Sequence, residues 1–164
     1  MAVKTVADLF IHELSDTYSA EKQMTKSLPK MARAAADEQL SQAFLDHLEE
    51  TRMQVERIDQ VVEALGIKLK RIKCAAMEGL VEEGKDLIDE IDKGPVLDVA
   101  LIGAAQKVEH YEIASYTTLI TLATKLGYSA AIPLLQASLD EETATDQKLG
   151  KLGQAAAIEE AKAA

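Results

Sequence analysis

The sequence is poor in the residues that build β-sheets and tight turns. Only 4% of its 164 residues are aromatic, Trp is absent, and there are three prolines. Hydrophobic residues still make up 48% of the chain, which is enough to bury one sizeable core. The abundant residues, among them Ala, Leu, Glu and Lys, are those that favour helices. The composition therefore predicts an all-α protein with a single domain.

Cysteine and positive charge are scarce as well. A single cysteine, Cys74, excludes an internal disulfide, and no Cys or His pair at ligand spacing indicates a zinc site. We therefore expect Cys74 to be a small buried residue. The net charge of −10 opposes binding to nucleic acid or to an anionic membrane surface. The one basic run, at 68–73, is predicted to be a solvated loop.

Long hydrophobic runs are missing too. The uncharged stretches at 113–124 and 129–139 are shorter than the roughly 18 residues that a membrane-spanning helix needs. Charged residues occur early in the N-terminal segment, so we expect no signal peptide. These features predict a cytoplasmic protein without a membrane segment.

Hydrophobic spacing predicts five helices, four of them long. They extend from Val6 to about Ala35 with a kink at Pro29, from a cap at Asp37 to Gly66, from about Cys74 to Gly94-Pro95, from about Val96 to Leu126, and from a cap at Ser129 to about Leu152. Two long antiparallel hairpins joined by a crossover are typical of a ferritin-like helical bundle, although other bundles share this order. We expect residues 1–153 to form the domain and 154–164 an Ala-rich, frayed tail.

Several acids fall among apolar residues when each helix is drawn at about 100° per residue. These inward carboxylates are Glu21 in the first helix, Glu50 in the second, Glu109 and Glu112 in the fourth, and Glu142 in the fifth. His47 and Gln54 lie on the same line as Glu50, and Asp146 follows Glu142 by one turn. All eight side chains are candidate metal ligands, and which of the two acids in the fourth helix binds directly is left open.

The spacing of these acids is consistent between the two hairpins. Glu21 and Glu50 are 29 residues apart, and Glu112 and Glu142 are 30 apart, so each pair can meet at one level of the bundle. Buried ionised carboxylates cost several kcal/mol each, and only Arg57 offers a nearby positive charge. Two divalent ions would balance four carboxylates. Oxygen-rich ligation with an occasional His favours two iron ions, with manganese as the alternative.

Acids next to the candidate ligands point the other way on the same drawing. Glu49 and Glu141 lie on the outer faces of their helices, so they are predicted to be surface residues that bind no metal. Tyr18 and Tyr116 fall near the inward acids. A phenol beside a metal centre can donate a proton or an electron, although a core tyrosine with a satisfied hydroxyl is the simpler interpretation.

The segments that carry these residues closely resemble the YciE/YciF family of bacterial stress-associated proteins, within the ferritin-like superfamily. The matching stretches are LSDTYSAE at 14–21, HLEET at 47–51, AQKVEHYEIA at 105–114, and EE at 141–142 with Asp146. The resemblance implies a five-helix ferritin-like domain, a homodimer, a di-iron or related centre, and induction under stress. Superfamily sites usually carry Glu-x-x-His, whereas Met53 and Thr145 stand at those His positions here. The second ligand of each pair would then be His47, Gln54 or Asp146.

Three functions are compatible with these observations. The first is a non-haem di-metal oxidoreductase, ferroxidase-like or peroxidase/catalase-like, that reacts with peroxide or dioxygen during stress. The second is a non-enzymatic dimeric helical stress protein with a structural metal or none. The third is iron storage, which we rank last because nothing in the sequence indicates the contacts of a hollow shell.

Overall fold

The computed structural model describes residues 3–163 of the chain, with side chains through residue 156. Within this range there are five helices and no strand, which confirms the predicted all-α class. The helices are α1 (Val6–Ala34), α2 (Glu38–Leu65), α3 (Ala75–Glu90), α4 (Pro95–Leu126) and α5 (Ile132–Ala163). No helix in the described part combines the length and apolarity required to cross a membrane.

Local capping sets the bounds of the first hairpin. The Thr5 hydroxyl accepts a hydrogen bond from the N–H of Asp8, and the Asp8 carboxylate accepts one from the N–H of Thr5. From this cap α1 continues through Pro29 as one helix, and the kink predicted there stays a prediction. Asp37 caps α2, and Gly66 ends it in the left-handed region with φ of 61°. The predicted bounds of both helices are confirmed to within a residue.

The four long helices form a bundle, and α3 crosses one side of it. Packing contacts join α1 to α2, α4 to α5, α1 to α4, and α2 to α5, while α3 packs on α1 and α4. The connection at 67–74 is irregular, as predicted for the basic run. It ends at Cys74, which caps α3 and is fully buried, so the prediction of a small buried cysteine is confirmed.

The fifth helix differs from its prediction at both ends. Ser129 does not cap it, because the residues before Ile132 form a turn and the helix begins only at Ile132, three residues after Ser129. At the other end α5 continues past Leu152 to Ala163. The run of alanines there favours helix strongly, which outweighs the weak stop that Gly153 provides. The predicted bounds of this helix were therefore wrong.

The hydrophobic core is divided into two clusters along the bundle. The first apolar cluster contains Met24, Phe44 and Leu101 among its fully buried members. The second contains Phe10 and Ile58. Each long helix passes from one cluster to the other, so the stretches between them form a middle layer of the bundle. That layer is where the inward acids of the sequence lie.

Candidate metal centre

Five ionisable side chains lie in the middle of the bundle, between the two apolar clusters, and are called the acidic layer here. They are Glu21 from α1, His47 from α2, Glu109 and Glu112 from α4, and Glu142 from α5. None is more than 2% exposed. The prediction of an inward carboxylate on each long helix is confirmed for α1, α4 and α5. The second helix instead contributes the imidazole of His47.

Four members of the acidic layer converge on one point. His47, Glu109, Glu112 and Glu142 each offer one ligand atom, and these atoms all lie within 4.8 Å of one another. The His47 Nε2 is 3.3 Å from Glu109 Oε1 and 3.6 Å from Glu142 Oε2. Glu109 and Glu112 reach the same point because residues three apart share one face of a helix. The spacing of these atoms is compatible with a shared cation.

Glu21, the fifth member, is fully buried and is held by a tyrosine. Its Oε1 accepts a hydrogen bond from the hydroxyl of Tyr116, which is also fully buried. Of the two tyrosines predicted near the centre, Tyr116 therefore lies beside it. Tyr18 is only partly buried, and its ring faces the ammonium of Lys22, 6.0 Å from the ring centre.

Burial makes the charged forms of these carboxylates unfavourable. It raises the pKa of Glu21 to about 8, although the Tyr116 hydrogen bond opposes the shift. Burial also raises the pKa of Glu112 and of Glu142 well above the ordinary range. For His47, burial lowers the pKa, but the nearby Glu109 outweighs it, so the net pKa is well above the usual value. Without a cation, Glu21, Glu112 and Glu142 therefore hold their protons to a higher pH than exposed glutamates do.

Most of the ligand atoms in the layer have no hydrogen-bond partner among the described residues. These unpaired atoms of the layer are Glu21 Oε2, His47 Nε2, Glu109 Oε2, Glu112 Oε1 and both carboxylate oxygens of Glu142. Gln54 Oε1, outside the layer, is also buried and unpaired. Buried polar atoms are nearly always satisfied in folded proteins, so a cluster of this size is typical of a site that binds a ligand. Oxygen donors with one imidazole suit iron or manganese. The residues present therefore fit a metal centre of the kind that the resemblance implies.

Two of the predicted ligands on α2 lie at the margin of the four-residue group. The side chain of Glu50 is 36% exposed, and its Oε2 lies 3.1 Å from His47 Nδ1. That hydrogen bond lowers the pKa of Glu50, so its carboxylate is ionised. Gln54 is fully buried and donates to Glu141 Oε2 at 3.1 Å. Glu50 thus contacts the centre from the solvent side.

The structure does not bring Asp146 into the group. Its Oδ1 accepts a hydrogen bond from Gln106 Nε2 at 3.1 Å and lies 3.3 Å from Nε2 of the exposed His110. Four residues advance slightly more than a full turn of helix, so Asp146 is rotated away from the layer. Its carboxylate therefore meets Gln106 and His110 of α4 instead of the buried glutamates.

Glu141 was predicted to point outward, and this was wrong. Its carboxylate is 22% exposed and forms two hydrogen bonds of 2.6 Å with the guanidinium of Arg57. Arg57 also donates to Ser138. The cation expected to serve the acidic layer is thus paired with a different acid.

Residues 5–162 match the protein family described as Domain of unknown function (DUF892). Protein YciF of Escherichia coli (strain K12) is 62% identical over 153 residues, covering 93% of this chain and 92% of YciF. This chain therefore belongs to the DUF892 family. The crystal structure of the E. coli stress protein YciF matches it with a TM-score of 0.93 at 60% identity, covering 95% of this chain and 99% of the other.

Two further solved structures share the DUF892 fold of this chain. YcfI from Rhodopseudomonas palustris has a TM-score of 0.87 at 46% identity, covering 90% of this chain and 94% of its own. The protein XCC3681 from Xanthomonas campestris pv. campestris has a TM-score of 0.73 at 21% identity, with 94% of each chain covered, which shows the shared fold alone. The resemblance to the YciE/YciF family is confirmed by these comparisons.

Two contacts of this DUF892 protein were missed by the sequence reasoning. Thr145, which stands where the superfamily usually has a His, donates to Glu50 Oε2 at 3.2 Å. That departure from the usual motif was a signal that the position matters. Tyr111 donates to Asp16 at 2.5 Å and lies 2.9 Å from the thiol of Cys74. No sequence signal indicated this contact, because its three partners come from different elements.

Proposed function

We propose that this DUF892 protein binds two metal ions, iron by preference, in the acidic layer, and that the centre reacts with peroxide or dioxygen. The observation that carries the proposal is the cluster of buried, unpaired ligand atoms. Within the described residues, no Lys or Arg forms an ion pair with a member of the layer. Two divalent ions would balance its four glutamates, which would otherwise remain costly to bury.

The members of the acidic layer would serve as ligands. Glu109, Glu112, Glu142 and His47 would hold the ions, and Glu21 would complete the oxygen donors. Bound iron would supply the electrons that reduce peroxide or dioxygen. Manganese suits the same donors, whereas a structural zinc site would normally contain cysteine or more imidazole.

Neighbouring residues support those ligands. The hydroxyl of Tyr116 holds a proton directed at Glu21, which fixes the orientation of that carboxylate. Glu50, kept ionised, accepts the Nδ1 proton of His47 and so leaves Nε2 free to face Glu109. The apolar clusters on both sides keep bulk water from the layer. A centre held in this way is oriented and shielded before any oxidant arrives.

The raised pKa values favour a second function. If the buried glutamates keep their protons, the layer needs no metal for charge balance, and the protein is a non-enzymatic helical stress protein. Chelation distinguishes the two functions. Protein purified without chelator that contains no metal, and whose stability a chelator leaves unchanged, would favour the second.

Peroxide consumption by the iron-loaded protein tests the first function. We expect anaerobically loaded protein to oxidise its iron faster than the same amount of free Fe(II), with peroxide consumed in proportion. Glu112→Gln should lose this reaction, whereas Glu49→Gln, on an exposed residue paired with Arg52, should keep it. Bound iron that reacts no faster than free iron would refute the proposed reaction.

A further inference from the structure

A narrow cavity between α2 and α5 leads toward the acidic layer. Its volume is about 100 Å³, which is room for a few water molecules. The exposed residues Asp46 and Lys148 line its outer part, and the buried His47 and Glu109 line its inner part. The cavity therefore connects the surface of the bundle with two members of the layer.

Glu50 lies between these two ends. More than a third of its side chain is exposed, yet its Oε2 contacts both the imidazole of His47 and the hydroxyl of Thr145. On the other side of the ring, His47 Nε2 is 3.3 Å from Glu109. A continuous series of polar atoms thus runs from solvent, through one carboxylate and one imidazole, to the buried glutamates.

Charge along this path favours a cation. At the mouth, Lys148 Nζ lies 3.5 Å from Asp46 Oδ2, and both side chains are about half exposed. Such surface pairs are weak and exchange readily with solvent. Because Lys148 pairs with Asp46, the part-exposed carboxylate of Glu50 is the next acidic group of the cavity lining that an entering ion meets.

We propose that this cavity is the route by which divalent cations reach the acidic layer, and that Glu50 captures each ion and passes it inward. The inference rests on the proposed metal centre and adds how that centre is filled. Glu50 is then an entrance residue that exchanges between solvent and His47, whereas the fully buried glutamates are the lasting ligands. A blocked route should slow loading without changing how many ions are bound at the end.

Stopped-flow loading with Co²⁺ tests this route, since cobalt absorbance reports binding independently of any reaction with peroxide. Two variants alter the route. Glu50→Gln removes the charge of the entrance residue, and Ala144→Leu places a larger side chain at an exposed position that lines the cavity. We expect each to slow uptake by about tenfold. The final number of ions per chain should stay the same, because the amide oxygen introduced by Glu50→Gln can still accept the Nδ1 proton of His47 that orients the ring. The matched controls, Glu49→Gln and Thr143→Leu, change neighbouring exposed residues and should stay within about twofold of the unaltered protein.

The outcomes separate the route from the metal centre. An unaltered protein that binds no Co²⁺ refutes the centre itself. Normal uptake by Ala144→Leu places the entrance elsewhere and overturns the route, whatever Glu50→Gln does. Loss of an ion at equilibrium in Glu50→Gln makes Glu50 a lasting ligand and overturns its role as an entrance residue. Slowed uptake in both variants with full final loading supports the proposal.

Discussion

The buried glutamates of the acidic layer favour metal binding but lower the stability of the metal-free protein. Glu142 is fully buried, and in the described part of the chain neither of its carboxylate oxygens has a hydrogen-bond partner. A side chain in this position opposes folding unless a proton or a cation neutralises it. Selection for stability alone would replace it with a neutral residue, so its cost points to a role in binding.

Replacing Glu142 with Gln should therefore have opposite effects on stability and on binding. We expect Glu142→Gln to stabilise the metal-free protein at pH 8 by about 1–3 kcal/mol, a rise in Tm of about 3–8 °C, because an uncharged amide takes the place of an acid that is costly to ionise. Metal binding should weaken at the same time. Thermal unfolding and metal titration measure the two effects, and Glu49→Gln should change neither. A variant that is less stable without metal and binds as before would contradict this explanation.

Tyr111 joins three elements through its hydroxyl, which donates to Asp16 and contacts the Cys74 thiol. We expect Tyr111→Phe to lower the free energy of unfolding by about 1–2 kcal/mol, because the partly buried Asp16 carboxylate loses a donor. Urea unfolding measures the loss. Tyr18→Phe is the matched control, since no hydrogen bond is found for the Tyr18 hydroxyl within the described residues, and equal losses in the two variants would contradict the role of this contact.

The helical drawing predicted where a side chain leaves its helix, but not where its end lies. It placed Glu21 and Glu142 inside correctly, because their neighbours at helical spacing are apolar. It failed for Glu141, whose long side chain turns back to meet Arg57 across the bundle. Asp146 failed for a similar reason, since one extra turn carried it past the layer. Such contacts depend on which residues the neighbouring helix presents, and the hydrophobic pattern of a single helix carries no information about its neighbour.

Asp98 of α4 holds the turn between α1 and α2. Its buried carboxylate accepts hydrogen bonds from the N–H groups of Ala36 and Asp37, at 2.7 and 2.9 Å. We expect Asp98→Ala to destabilise the protein by about 2–4 kcal/mol, because two part-buried N–H groups lose a charged acceptor. Denaturant unfolding measures this. Asp92→Ala removes an exposed acid near the start of the same helix and should cost little, and a similar loss in both variants would argue against the bridge.

Helix bounds were predictable where the cap is local in sequence. Thr5 and Asp37 bond to backbone groups three residues on, and Gly66 takes the left-handed conformation that ends a helix. Ser129 has a side chain suitable for a cap, but its backbone belongs to the turn after Gly127, and α5 begins three residues later. The hydrogen bonds from the turn to Asp98 could not be predicted from the sequence, because they join groups about sixty residues apart.

The pH dependence of stability follows from the raised pKa values of the layer. For Glu21 the folded value is about 8 against 4.5 unfolded, so the folded protein binds more protons and loses stability as pH rises between these values. His47 acts in the same direction, because its raised pKa contributes stability at low pH that is lost as the ring deprotonates.

We therefore expect the Tm of the metal-free protein to fall by about 5–10 °C between pH 5 and pH 8.5. Saturation with a divalent metal should remove most of the fall, because bound cations favour the ionised carboxylates. The double variant Glu21→Gln with Glu142→Gln is the control, and its decline should be smaller. A Tm that rises across this window would indicate carboxylates already paired with cations, contrary to the structure.

The bundle places the acidic layer, whose buried ligand atoms mostly have no hydrogen-bond partner among the described residues, between two apolar clusters. The fold class and all five members of that layer were among the predictions, since helical periodicity and the family motifs both depend on nearby residues. Which of the two α2 candidates, His47 or Glu50, is buried in the layer was not predictable, because it depends on the packing of α2 against α4 and α5. The cavity beside them depends on the same packing. The claim on which the rest depends is that cations occupy this layer.

Anomalous scattering at the iron edge, from crystals grown with Fe(II) and no chelator, tests that claim most directly. Two peaks per chain, between the clusters and in contact with Glu109, Glu112, Glu142 and His47, are the predicted result. Crystals with no peak there, in which the glutamates instead share protons and bond to one another, would contradict it.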